Sequence, residues 1–419
     1  AIKSNGSFRE TGEWIERDYE LDKSRNSAYK RYVYNALNLN CSRAVFSVSN
    51  ERRAAISEAN YVYKNVHTLK QHQKEHLNNF YTSDTVLMVA QAALYGLVSK
   101  RGLYAGLPWF FQNWSRDTLV SVAALDPYLQ KRIILSSIRN INGKGRLPNV
   151  ANSTLASSDS VGWLFLRTRQ LYENKTEIKE ITDVLRDSLQ LQQENYGREG
   201  LIFSNRNETW MDTSHDDGGR EGFPIEIQAL TLASYNFLWL LTGDRKVKSI
   251  ESSMAKKVRK QFYNNKYLAD LARDYTIRPN VFIAAYAYPQ LLSKKEWETC
   301  FEHILPSLWL TWGGLASIDK NHSLFQKDYT GENNQSYHRG DSWFWINNLA
   351  AVVMSRLDRK KYSSYVSKIK DASVNDLLYK GAAGGCSEVS SASQQRAEGC
   401  LNQAWSCATL IELLKLTPQ

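Results

Sequence analysis

The chain has 419 residues, 42% of them apolar and 23% charged, which excludes bulk disorder and exceeds the usual length of a single domain. The longest apolar stretches, such as 86–98 with Gln91 inside it, stay short of the roughly 20 residues a membrane span needs, and no basic stretch leading into an apolar run reads as a signal peptide. A formal charge of +10 raises the question of nucleic acid, but the basic residues are dispersed, and the densest runs, 256–260 and 359–361, read as solvated helix faces rather than a contiguous basic stripe.

In chain order, helical periodicity dominates. Stretches 22–39 and 51–68 are predicted as helices, followed by 83–100, whose apolar residues at 86, 87, 89, 90, 93, 94, 97 and 98 form a wide stripe capped by Ser83 and Asp84. Further helices are expected over 129–140, 159–172, 178–194, 225–242, 247–262, 278–292, 293–305, 338–357, 360–372 and 401–416. Asp159, Thr176 and Ser293 serve as N-caps, and Gly243 as a C-terminal stop. No set of strands alternates with these helices. Between them lie five long connections, 102–117, 142–158, 195–224, 309–337 and 381–399, rich in Trp, Gly, Asp and His. Long loops without structure of their own are usually functional. Their recurrence after about every second helix suggests helix pairs in a ring with loops at one mouth. Residues 1–70 are expected as a helical appendage or the start of the ring, and 71–419 as one catalytic domain.

The loops carry the chemistry-bearing residues. The first places Trp109 and Trp114 beside Arg116 and Asp117, a pair that reads either as a helix-start salt bridge or as a charged grip on hydroxyls flanked by stacking rings. In the third, Asp212 follows Trp210 and Met211, apolar neighbours expected to raise its pKa into the range of a general acid. His215, Asp216 and Asp217 lack a second histidine at metal-ligand spacing and read as a solvated acidic loop. Glu226 opens an apolar helix, where a carboxylate suits the helix dipole as well as a site. His338 stands at a helix entry with Trp343 and Trp345, and Glu388 lies on a glycine-rich loop. The five cysteines are odd in number and scattered without CxxC spacing, which fits reduced thiols in a cytoplasmic protein. Phosphate-cradling glycine motifs are absent.

Taken together, eight motifs occur in one order: Pro108-Trp-Phe with Asn113-Trp-Ser-Arg-Asp-Thr, Leu147-Pro-Asn with Asp159-Ser-Val-Gly-Trp, Thr209-Trp-Met-Asp, Pro224-Ile-Glu-Ile-Gln-Ala-Leu, Ile277-Arg-Pro-Asn, Tyr337-His-Arg-Gly-Asp-Ser-Trp-Phe-Trp, Ser387-Glu and Gln403-Ala-Trp-Ser. Over about residues 75–416 the chain resembles the amylo-α-1,6-glucosidase domain of glycogen debranching enzymes and its glucoamylase-like archaeal and bacterial relatives. The resemblance implies an all-α (α/α)6 toroid, in line with the count of about a dozen helices. It implies an inverting exo-hydrolase that removes glucose from α-1,6 stubs, or from α-1,4 ends, of an α-glucan, without metal or organic cofactor. By motif, Asp212 is the general acid and Glu388 the general base. Arg116 and Asp117 grip the terminal glucose, Trp109, Trp114, Trp163, Trp210, Trp343 and Trp405 supply ring faces, and Arg278 and His338 add polar contacts. Neither nucleic acid nor membrane is an expected partner. A non-catalytic glycan-binding toroid is the alternative from a different class, against which the presence of both carboxylates argues. Arg339 and Asp341 depart from the Gln-Gly-Thr-Val-Trp pattern of many relatives and are expected to add charge at the rim.

Overall fold

A computed structural model describes residues 1–25, 27–78, 84–99, 102–150, 153, 156–171, 179–215 and 218–417. The chain forms two compact units, Ala1–Met88 and Val89–Gln419, with the boundary inside the helix Thr85–Tyr95.

The first unit corrects a sequence expectation. The predicted helix over 22–39 is absent: a short helix, Glu20–Ser24, is followed by the strand Lys30–Asn40, which pairs antiparallel with Ser7–Asp18 in a long hairpin. The local pattern explains the difference. Val33, Asn35, Leu37 and Leu39 alternate with more exposed neighbours at a period of two, and side chains on a strand alternate faces. Tyr32, Val33 and Tyr34 are also strand formers. Two helices follow, Arg52–Lys64 and Val66–Asn78, where one was expected over 51–68.

The second unit is built around six strongly buried helices: Ser115–Ser121, Ser160–Leu171, Ile225–Thr242, Asn280–Ala287, Phe344–Asp358 and Ala404–Leu416. Each packs against the next, and the last returns to the first, closing a ring. In chain order a more exposed helix precedes each of them. Its type is shown by Arg245–Phe262, which buries Val247, Glu251, Met254, Val258 and Phe262 at spacings of three and four and turns its lysines outward. The ring helices are apolar all round: every residue from Ile225 to Leu238 is buried, as a helix enclosed on all sides requires. The result is an (α/α)6 toroid.

Local signals set the helix ends. Ser293 and Glu296 form a reciprocal capping box, Gly243 ends its helix at φ 67°, and Asp84 Oδ1 accepts from the amides of Val86 and Leu87. Ser83 and Thr176 lie outside the described residues. The helix expected from 338 begins instead at Phe344, because 336–343 is committed to the loop layer.

Every connection into a ring helix ends at that helix's N-terminus, so these connections share one face of the toroid. Five were legible as long loops; the sixth, 263–279, was hidden between two adjoining predicted helices. Short strand pairs tie the layer together. Gly106–Leu107 pairs with Asn402–Gln403, and Ser342–Trp343 with Val389–Ser390. The first and last loops, and the fifth and last, are thereby held side by side.

Candidate active site

Arg116 and Asp117 sit in the first turn of Ser115–Ser121, each 3% exposed, and they face the loop that carries Asp212. Arg116 Nη1 donates to the Thr209 carbonyl at 2.8 Å, and Nη2 meets Asp212 Oδ2 at 3.0 Å. A third carboxylate, Asp159 at the start of the next ring helix, lies 3.6 Å from Nη1. The guanidinium therefore bridges two carboxylates from separate elements. The Asp212 side chain is 26% exposed, open to the mouth where its bridging partner is not.

His338 approaches Asp212 from the other side, with Nε2 at 3.6 Å from Oδ1. Burial drives its imidazole down to about 4, Asp212 pushes back, and Arg339 and Arg278 add to the fall, so the ring is neutral at neutral pH. It stacks on Trp343 at 5.0 Å and meets the edge of Trp210 at 5.4 Å. Trp210 in turn packs against Trp343 and Trp345, and Trp345 stacks on Trp405 at 4.9 Å. These rings floor the site. Trp163 lies one ring deeper, against Trp345 and Tyr286, while Trp114 is half-buried at the wall. Trp109 is 46% exposed on the loop pinned by the Gly106–Leu107 strand. Arg278 is buried behind the floor, where its Nη1 donates to the His338 carbonyl at 2.6 Å and so supports the ring from below.

Glu388 is wired differently. Its Oε2 accepts the Cys400 amide at 2.8 Å, and Oε1 accepts the Tyr337 hydroxyl. Donors to both oxygens favour the ionised form. The Cys400 amide can reach only because residue 399 is glycine: its φ is 64°, and a Cβ there would lie 2.3 Å from Glu388 Oε2. Between the two sides stands Asp117, whose Oδ1 accepts from Gln403 Nε2 at 3.1 Å. Burial pushes the Asp117 carboxyl up, Arg116 pulls it back, and the nearby charges of Glu388 and Asp212 add to the rise, leaving it at about 7. Three carboxylates thus share one electrostatic site without all being comfortably ionised.

Two expectations change here. The Trp-Met neighbours of Asp212 do favour its neutral form through burial, but the contacts with His338 and Arg116 outweigh that, and its carboxyl lies below the ordinary value. Arg339 and Asp341 are not at the rim; they are 2% and 0% exposed. Arg339 donates to the Thr213 hydroxyl and carbonyl, at 3.3 Å each, bracing the residue after Asp212. Asp341 accepts from Ser336, and burial holds its carboxyl well above the usual range.

The structure brings together Arg116, Asp117, Trp210, Asp212, His338, Trp343, Glu388 and Trp405 around one mouth. It adds Asp159, Tyr337 and Gln403, which had no site role in the sequence reading although each opens one of the motifs, Asp159 being read as an N-cap. Cys400 is no nucleophile: burial drives its thiol to about 12, and Sγ donates to the Leu107 carbonyl. Glu226 proves structural, paired with the buried Arg220, which also holds Asp270. His215 is exposed, and Asp216 and Asp217 lie outside the described residues. No helix among the described residues is long and apolar enough to cross a membrane.

A family model described as amylo-alpha-1,6-glucosidase matches residues 81–412. No curated protein matches. Among solved structures, an uncharacterised conserved protein from Thermus thermophilus aligns with a TM-score of 0.59 at 12% identity, covering 78% of this chain and all of that one. A GH63 mannosylglycerate hydrolase from the same organism, in complex with glucose, aligns with a TM-score of 0.57 at 11% identity, over 79% of this chain and all of that one. A Glu→Ala glycosidase variant in complex with glucose gives a TM-score of 0.59 at 9% identity, over 79% of this chain and 95% of that one. At such identities these structures speak for the shared fold. The chain belongs to the amylo-alpha-1,6-glucosidase family and is a glycoside hydrolase built on the six-hairpin toroid.

Proposed function

We propose that the protein is an inverting, exo-acting hydrolase that releases glucose from α-1,6 stubs of a glycogen-like glucan, with Glu388 as general base and Asp212 as general acid. The observation that carries this reading is the opposite wiring of the two carboxylates. Glu388 accepts from Tyr337 O–H and Cys400 N–H, donors that favour a carboxylate fit to accept a proton from water. Asp212, against its burial, is held below the ordinary carboxylate value by His338 and Arg116, two groups that a bound sugar can engage in its place. A glucose hydroxyl that engages Arg116 weakens the pair. Burial then weighs more heavily on Asp212 against His338 alone, and the carboxyl takes up the proton it gives to the leaving oxygen. Water attacks C1 from the opposite face as the C1–O bond breaks, its proton passes to Glu388, and the anomeric configuration inverts.

The polar atoms around the floor suit a polyol. Trp405 Nε1, Gln403 Oε1 and His338 Nδ1 are buried without a hydrogen-bond partner among the described residues. Beyond the floor, Trp109 and Phe111, 46% and 58% exposed, offer flat faces to the rest of a glucan chain. The solved neighbours complexed with glucose are consistent with a glucose-sized subsite. We place the enzyme in the cytoplasm, where its five free cysteines stay reduced.

Glucose release from a limit dextrin bearing single-glucose α-1,6 stubs, compared with linear maltooligosaccharides, tests the linkage. Faster release from the stubs is expected. Faster release from linear chains makes the enzyme a glucoamylase instead.

A further inference from the structure

The six ring helices have a second set of ends. At their C-termini, on the face opposite the candidate active site, a cavity of about 460 Å³ opens among Val120, Gln170, Tyr286, Arg356, Ile411 and Lys415. Along the last ring helix, Trp405 belongs to the active-site floor and Lys415 to this cavity, ten residues or about 15 Å apart.

Its charges do not balance. Arg167 is 2% exposed just behind the cavity wall, and it donates only to neutral oxygens: the Leu119 and Val120 carbonyls, Gln170 Oε1 and the Tyr286 hydroxyl, at 2.7 to 3.0 Å. No carboxylate pairs with it directly among the described residues. Lys415 is exposed in the wall and likewise has no ion-pair or hydrogen-bond partner among them. Glu412 is the one carboxylate in the lining, and it is already engaged, accepting from Tyr286 at 3.0 Å and from Arg356 at 2.7 Å. Three cations therefore face one anion. A buried guanidinium without a counter-charge is costly, and a concave wall of one sign concentrates the opposite charge.

We propose that this cavity is a second ligand site, for the phosphate monoester of a small sugar. A dianionic phosphate matches the excess of two positive charges, with Lys415 and Arg356 as direct contacts and Arg167 acting from behind. The Gln170 amide is available to hydroxyls, since only its oxygen is taken by Arg167. Val120, Ala124 and Ile411 give an apolar floor for the face of a sugar ring. The volume exceeds that of a bare phosphate ion. The site is independent of the glycosidase reading, for it shares no residue with the active site.

Titration calorimetry with glucose 6-phosphate, inorganic phosphate and glucose tests it, using the full chain and its Lys415→Glu and Arg356→Gln variants. Glucose 6-phosphate is expected to bind in saturating glucose, more tightly than phosphate alone. Loss of one charged contact should weaken it about tenfold in Lys415→Glu, an exposed change that leaves the fold intact. Arg356→Gln should weaken it similarly, and binding should decline with added salt. Three results overturn the proposal: no binding at millimolar ester, displacement by glucose (which places the ester in the active site), or unchanged affinity in Lys415→Glu. Equal affinity for phosphate and the ester overturns the assignment to a sugar.

Discussion

Replacing Asp117 by Asn should make the protein more stable than wild type at neutral pH and no more stable in acid. The buried Asp117 carboxyl is raised from 3.8 to about 7 by desolvation and by the charges of Glu388 and Asp212, against the pull of Arg116. Between these values the folded chain binds a proton that the unfolded chain releases, so its stability falls as pH rises from about 4 to 7 and levels off above. A displacement of roughly 3 units corresponds to about 4 kcal/mol at the plateau, an order-of-magnitude figure at 1.36 kcal/mol per unit. Asparagine removes this term while its carbonyl oxygen can still accept from Gln403 Nε2. Asp159, Asp341 and Asp376 are also raised, but they are present in both proteins and cancel in the difference. Thermal or denaturant unfolding of the pair at intervals from pH 4.5 to 8.5 reads it out. The variant's advantage should grow by several kcal/mol over that range. A constant difference would mean that Asp117 titrates as an ordinary surface carboxylate and that the three carboxylates are not electrostatically joined.

Tyr337→Phe should lower kcat about 10- to 100-fold with little change in KM, the effect of losing a hydrogen bond of roughly 1.5–3 kcal/mol to a charged group, measured by steady-state kinetics. Gly399→Ala should cost at least as much activity while circular dichroism stays native, since its Cβ collides with Glu388 Oε2 at a backbone φ of 64°. Arg220→Met leaves the buried Glu226 without its cation and Asp270 with only the longer, 3.6 Å pair to Arg278, and unfolding should show a loss of about 3–5 kcal/mol.

Periodicity and spacing located most of the toroid, because enclosed helices leave wide apolar stripes and their caps are local. The hairpin is a fainter signal: Val33 to Leu39 alternate at a period of two over only a few residues, beside the wide helical stripes of the rest of the chain. The proposed catalytic pair, Asp212 and Glu388, was picked out through motifs. Its electrostatics were not: His338 and Arg116 are far from Asp212 in sequence, and only the fold shows that together they outweigh its burial. Arg339 and Asp341 illustrate the same limit. Charged residues in a loop suggest a rim, yet a loop layer clamped by strand pairs has an interior of its own, and both side chains lie within it.

The most direct test of the two-carboxylate mechanism is the anomeric form of the glucose first released from an α-1,6-stubbed limit dextrin, followed by proton NMR before mutarotation. Water attack opposite the leaving oxygen, with Glu388 as base and Asp212 as acid, gives β-glucose. Initial release of α-glucose would contradict it, since retention requires a covalent intermediate on one carboxylate in place of direct attack by water.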